Sequence, residues 1–252
     1  MVTTPFAPFT TPHGIAIAWT GAVLMAAIVI GRFVRGTGAQ RRLDGLLAAG
    51  AVLVNAFSIV YFATPPRLGW SQSLPLQLCD LACLVAPIAL LWPERCRWAR
   101  TLMYFWGLGL SSQAFITPTL TEGFPSLRYW QFWLLHLVIV GTAMYDVIAR
   151  GYRPSLKDLR LALGVSCVWF AVVFALNIVL DKLGVEGANY GYCGDTRPLH
   201  PTVIDRLGEW PLRAVGLAVI GAAVMTFWWA IWPVAGWVGR GSLRRCRARG
   251  RG

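Results

Sequence analysis

Leu161-Ala162-Leu163-Gly164-Val165-Ser166-Cys167-Val168-Trp169-Phe170-Ala171-Val172-Val173-Phe174-Ala175-Leu176-Asn177-Ile178-Val179-Leu180 runs for 20 residues without an acidic or basic side chain. As a helix, at 1.5 Å per residue, it covers roughly 30 Å, the thickness of a bilayer's hydrocarbon core. Backbone N–H and C=O groups have no water to bond there, so such a run must be helical. Working outward, the sequence holds seven candidate spans, at 13–31, 43–63, 75–92, 98–117, 129–149, 159–180 and 211–233.

Composition agrees. Of 252 residues 56% are hydrophobic and only 13% charged, about half the charge of a soluble globular chain. Mean hydropathy is +0.56. These values exclude intrinsic disorder, a disulfide-rich secreted scaffold and a cytosolic enzyme. The first apolar run lacks a basic flank and a small-residue cleavage site, so it reads as a retained span. Six cysteines, Cys79, Cys83, Cys96, Cys167, Cys193 and Cys246, form no C-x-x-C pair or zinc-type array and read as reduced thiols.

The formal charge of +12 would suggest nucleic acid in a soluble protein, but its distribution marks topology instead. Seventeen of the 23 basic residues fall in the 32–42, 93–100 and 150–160 connections and in the tail from Arg240 to Arg251. Five fall in the other set, Arg67, Arg128, Lys182, Arg197 and Arg206, and Arg213 opens the last span. The positive-inside rule then orients the chain. We expect an all-α polytopic membrane bundle of seven transmembrane helices, N-terminus outside and C-terminus cytoplasmic, in the cell membrane. Residues 1–238 form one transmembrane domain and 239–252 an Arg-rich cytoplasmic tail. The 181–210 connection, rich in Gly, Pro and aromatic residues, is expected to fold as a cap on the outer face.

Polar groups inside spans are costly and usually face a bundle interior. Cys79 and Asp80 fall about 6–8 Å below the outer end of the third span, and His136 about 10 Å into the fifth. Asn55 and Ser58, Ser111-Ser112-Gln113 and Asn177 lie in the later halves of outward-running spans, and His13 opens the first. Nearly all fall in the outer half, which points to a polar cavity under the cap. Separate interhelical hydrogen bonds are the simpler alternative. On a helical wheel Cys79, Asp80 and Cys83 share a broad face.

Several of these residues stand in ordered motifs. Leu74-Pro75-Leu76-Gln77-Leu78-Cys79-Asp80-Leu81, Tyr104-Phe105-Trp106-Gly107-Leu108 and Thr117-Pro118 come first. His136 after Trp130 to Leu135, Asn189-Tyr190, and then Asp205, Gly208, Trp210 and Pro211 follow. The ordered set, from His13 to about Pro211, resembles the YwaF-type integral membrane family. That family is similar to the eukaryotic transmembrane protein 164, regarded as a lipid acyltransferase acting through a Cys in this motif and a distant His. The resemblance implies Cys79 as nucleophile and His136 as its base. The chain departs from the family's Gly-Pro-Trp-Pro-aromatic-Tyr pattern at Gly208-Glu209-Trp210-Pro211-Leu212-Arg213, which bears on the shape of the cap.

Thiol-based acyl transfer needs a thiolate, a base to make it and donors for the oxyanion. Gln113 or Ser112 would supply the donor, and Asp80 or His13 would hold the imidazole tautomer. Asn177, Asn189 and Tyr190 complete the supporting set. The expected activity is lipid acyl transfer or lipid-ester hydrolysis in the outer half of the bilayer, with membrane lipids as partners. No cofactor, metal, nucleic acid or obligate protein partner is expected. A non-enzymatic transporter or a protein binding lipids or small molecules is the alternative. No Lys lies inside a span, which removes a retinal-type photoreceptor. His13, His136, His200 and Cys79 lack the spacing of a metal or haem site.

Overall fold

The computed structural model describes the backbone of residues 5–195 and 207–249, and side chains within those ranges as far as residue 233. His200, Asp205 and most of the basic and proline positions of the 181–210 connection lie outside the described residues. So do the side chains of the Arg-rich tail.

The described elements are α1 (Thr11–Phe33), α2 (Gly38–Ala63), α3 (Leu78–Leu91), α4 (Arg97–Leu102), α5 (Leu127–Ile148), α6 (Leu156–Lys182) and α7 (Leu212–Arg249). Between α4 and α5 the chain continues as a π-helical segment, Met103–Leu110, and a 3-10 turn, Ser111–Phe115. A further 3-10 turn, Tyr190–Tyr192, lies in the α6–α7 connection. No named strand occurs among the described residues. Five helices, α1, α2, α5, α6 and the Leu212–Pro233 part of α7, are long and apolar enough to cross a membrane.

The third and fourth apolar runs differ from simple spans. α3 holds only 14 residues, because the chain before it bends, the Leu76 N–H donating to the Leu74 carbonyl at 2.8 Å, and Gln77 caps the helix in a reciprocal box with Asp80. The fourth run is α-helical for one turn and a half, then loosens to π geometry. Such loosening often marks functional positions. Here it presses the Gly107 backbone against α5. A Cβ on Gly107 would lie 2.9 Å from both the Ala143 Cβ and the Ile139 carbonyl oxygen, so only glycine fits. Tyr104 donates to the Trp228 carbonyl (2.8 Å) and Trp106 Nε1 to Ser166 Oγ (2.9 Å), joining this segment to α7 and α6.

Helix α5 is central, packing on α1, α2, α3 and the π segment. Of its apolar window 61% is buried, against 11–28% in the other four long helices. The perimeter is correspondingly apolar: Val23, Val29, Leu53, Val168, Val172, Val219 and Phe227 are all exposed. A surface of that kind suits hydrocarbon rather than water.

One end of the bundle is tied by arginines. Arg100 forms a two-pronged pair with Asp146 (2.8 and 2.9 Å). Arg150 lies 3.5 Å from Asp44 and donates to the Ala89 and Leu90 carbonyls. Tyr145 donates to Asp44 at 2.7 Å, and Arg97 pairs with Asp158 at 2.6 Å. Apart from the half-exposed Arg97 these charges are largely buried and must be paired to be tolerated.

Candidate active site

At the opposite end a cavity of about 560 Å³ opens among α3, the 3-10 turn, α5, α6 and α7. Cys79 and Asp80 from α3, Gln113 from the turn and His136 from α5 all line it. Four of the residues singled out from sequence therefore meet in one space.

The Cys79 thiol has Ser111 as its partner, with Sγ and Oγ 3.4 Å apart. Ser111 sits where the π segment hands over to the 3-10 turn. The adjacent Ser112 turns away and donates to the Leu108 carbonyl at 2.7 Å, so its hydroxyl is engaged elsewhere. Thr117 also lines the cavity, and its buried hydroxyl has no hydrogen-bond partner among the described residues.

The His136 ring is set by its own helix. Nδ1 lies 2.7 Å from the Phe132 carbonyl. A carbonyl only accepts, so Nδ1 carries the proton, and a neutral ring then presents Nε2 as a lone pair. Nε2 makes no hydrogen bond to any described residue. No hydrogen bond joins Cys79 to His136 either; each faces the cavity separately.

Asp80 accepts from the Gln77 backbone N–H at 3.2 Å. Arg128 donates to Gln131 Oε1 and lies with its guanidinium carbon 5.2 Å from the Phe62 ring centroid. Gln131 Nε2 in turn donates to Ser58 at 3.1 Å. Among the described residues neither Asp80 nor Arg128 forms an ion pair, although both line the cavity. Arg128, Gln131, Phe132, Leu135 and His136 fall at i, i+3, i+4, i+7 and i+8, one stripe of α5. Extending the stripe back from His136 is the signal that finds Gln131 and that turns Arg128, counted above only as a loop charge, toward the same space.

The remaining predicted residues stand outside the cavity and build what surrounds it. His13 accepts from the Phe9 N–H (3.0 Å) and donates from Nε2 to the Phe115 carbonyl (3.1 Å), within a cluster of Phe6, Phe9 and Trp133. Asn177 exchanges two hydrogen bonds with the Tyr190 backbone (2.8 and 2.9 Å). Tyr190 accepts from the Leu74 N–H and donates to the Trp70 carbonyl. Asn189 accepts from Gly194 N–H at its side chain and from Gln77 Nε2 at its carbonyl. Gln77 Oε1 takes the Gly191 N–H at 2.9 Å, so Gln77 clasps the cap from two sides.

The cap turn is backbone-demanding. Gly191 has φ +65°, and a Cβ there would lie 2.8 Å from the Trp169 ring. Tyr192 follows at φ 58°, an uncommon conformation for a side-chain-bearing residue, and lines the cavity. Burial pushes the neighbouring Cys193 thiol up to about 12, which keeps it protonated and inert near neutral pH. Cys83, buried and outside the lining residues, belongs to the core, where Asn55 bonds its carbonyl at 2.6 Å. Cys167 is exposed and lines the cavity on the α6 side.

Residues 8–229 match a model described as the TMEM164 family. No curated protein and no solved structure matches the chain.

Proposed function

Because the chain belongs to the TMEM164 family, we propose that this multi-pass membrane protein is a thiol-dependent acyltransferase acting on membrane lipids. In this reading residues 1–238 are one transmembrane domain. Seven segments cross the cell membrane, the third and fourth as the shortened and π-loosened elements. The capped end faces outward, and the Arg-rich tail lies in the cytoplasm. The positive-inside asymmetry supports that orientation.

One observation carries the chemical reading. Cys79 and His136 line the same cavity, and the Phe132 carbonyl holds His136 in the tautomer that leaves Nε2 free to accept a proton. The Cys79 S–H proton passes to Nε2, directly or across one water. The sulfur attacks the ester carbonyl of a lipid, and the carbonyl π electrons move onto oxygen. Ser111, Thr117 and Gln113 stand nearby as neutral donors for that oxyanion. Collapse breaks the ester C–O bond, and the leaving alkoxide takes the proton from His136 to depart as a lysolipid. The thioester on Cys79 then meets a lysolipid hydroxyl, deprotonated by the same nitrogen, which releases the acylated product and restores the thiol. With water as acceptor the same steps amount to lipid-ester hydrolysis.

The absence of a hydrogen bond between Cys79 and His136 favours a second reading, a lipid-binding protein without turnover. Purified protein in nanodiscs with an acyl-labelled phospholipid and a lysolipid acceptor separates the two. Acyl transfer that Cys79→Ser abolishes supports the enzyme, and absence of transfer by the wild-type protein supports the binding protein.

A further inference from the structure

The cavity continues away from Cys79 and His136 along the inner faces of α6 and α7. Leu163, Cys167 and Phe170 of α6 and Leu217, Gly221 and Val224 of α7 line it there. The intervals of three and four residues within each set put them on one stripe of each helix. The stripes form two walls of an apolar cleft. Its floor is the π segment. A Cβ on Gly221 would reach 3.8 Å from Leu110 Cδ2, and one on Gly109 3.7 Å from Trp228 Cδ1. A side chain at either glycine would meet these neighbours at ordinary van der Waals distance, so a larger residue at Gly221 would fill the cleft against Leu110.

The cleft reaches the outside of the bundle. Cys167 is exposed and Ile220 is 42% exposed, and both line the cavity. Their neighbours Val168, Val172, Val215 and Val219 belong to the exposed apolar perimeter. The same cavity also opens at the capped end, where Gln72 and Gln113 are exposed. It therefore opens both among the exposed glutamines and onto the exposed apolar perimeter. The occupant that fits has a polar head beside Asp80 and Arg128 and an apolar chain along about 10 Å of α6 between Phe170 and Leu163.

We propose that the α6–α7 cleft is a lateral portal through which a membrane lipid enters from the bilayer, and that its esterified acyl chain lies in the cleft while its carbonyl reaches Cys79. The proposal rests on the acyl-transfer reading for the event at Cys79, and on the cavity alone for the route. A chain held between two helices places the ester without threading a hydrocarbon tail past the charged side chains of the capped mouth, where burial of apolar groups gains nothing.

The test uses the full chain in nanodiscs in a Cys167→Ser background, because Cys167 itself lines the cleft. Two thiol reagents are compared: a maleimide carrying a long alkyl chain and a small, charged maleimide. Labelling of the Cys79 peptide is read by mass spectrometry. Gly221→Trp and, separately, Leu163→Trp fill the cleft, and Val168→Trp on the lipid-facing surface serves as the control. We expect each plug to lower alkyl-maleimide labelling of Cys79 by about tenfold, since a filled cleft has no slack to yield. Labelling by the charged reagent should stay unchanged, and Val168→Trp should alter neither. Undiminished alkyl labelling in both plugged variants would overturn the portal, as would parallel loss of both labels, because the cleft would then not be a separate route. Failure of the acyl-transfer reading looks different: Cys79→Ser would retain turnover while the labelling pattern stayed as expected.

Discussion

The Cys79 sulfur lies 3.4 Å from the Ser111 hydroxyl oxygen, so the thiol's only hydrogen-bonding side-chain partner among the described residues comes from the turn that ends the π segment. If Cys79 is the nucleophile proposed above, Ser111 is placed to orient it and to donate to charge that develops near it. In the proposed reaction His136 is the base; it comes from a different helix, and the cavity that both residues line is the space a reacting ester would fill.

Ser111→Ala removes that partner without changing backbone geometry. A neutral hydrogen bond is worth about 1 kcal/mol, so acyl transfer should fall roughly fivefold, while thermal stability in detergent stays near wild type. Initial rates with labelled phospholipid measure it; an unchanged rate would remove Ser111 from the site.

His136→Ala removes the proposed base. General-base catalysis contributes on the order of a hundredfold or more, and alkylation of Cys79 at neutral pH should slow by about that factor. Raising the pH supplies thiolate without the base, so the deficit should shrink as pH rises. A deficit constant with pH would mean that His136 acts only through packing.

Helical class, and the meeting of Cys79, Asp80, Gln113 and His136 in one cavity, follow from apolar run lengths and from the depth of each polar residue along its run. These are local properties of the chain. Ser111 as the thiol's partner was not legible, because α-helical spacing does not hold across Met103–Leu110 and the π turn shifts which of Ser111 and Ser112 faces inward. Counting Arg97, Arg100 and Arg150 as topology marks also missed their second role. Their acidic partners Asp158, Asp146 and Asp44 lie on other segments, and only the folded bundle brings them together.

Asp146→Asn tests that end of the bundle. It leaves Arg100 and Arg150, both largely buried, without the carboxylate they share. Breaking a buried pair costs about 3–5 kcal/mol, so the variant should show a clearly lower unfolding midpoint in detergent. A midpoint unchanged from wild type would show that water reaches and solvates these arginines.

Gln77→Ala cuts both bonds that clasp the cap at Asn189 and Gly191. Loss of two hydrogen bonds, with partners left unsatisfied, costs about 2 kcal/mol. The loss should appear locally, as faster amide exchange over residues 183–195 with helices α2 and α5 unaffected. Exchange that rises uniformly across the bundle would contradict a role confined to the cap.

Trapping the acyl-enzyme tests the central claim most directly. Wild-type protein in nanodiscs is given acyl-labelled phospholipid without an acceptor lysolipid, quenched in acid and digested, and the Cys79 peptide is weighed. The account predicts an added acyl group on Cys79 that hydroxylamine removes and that Cys79→Ser does not acquire. Full acyl transfer by Cys79→Ser, with no acyl group on the wild-type peptide, would contradict it.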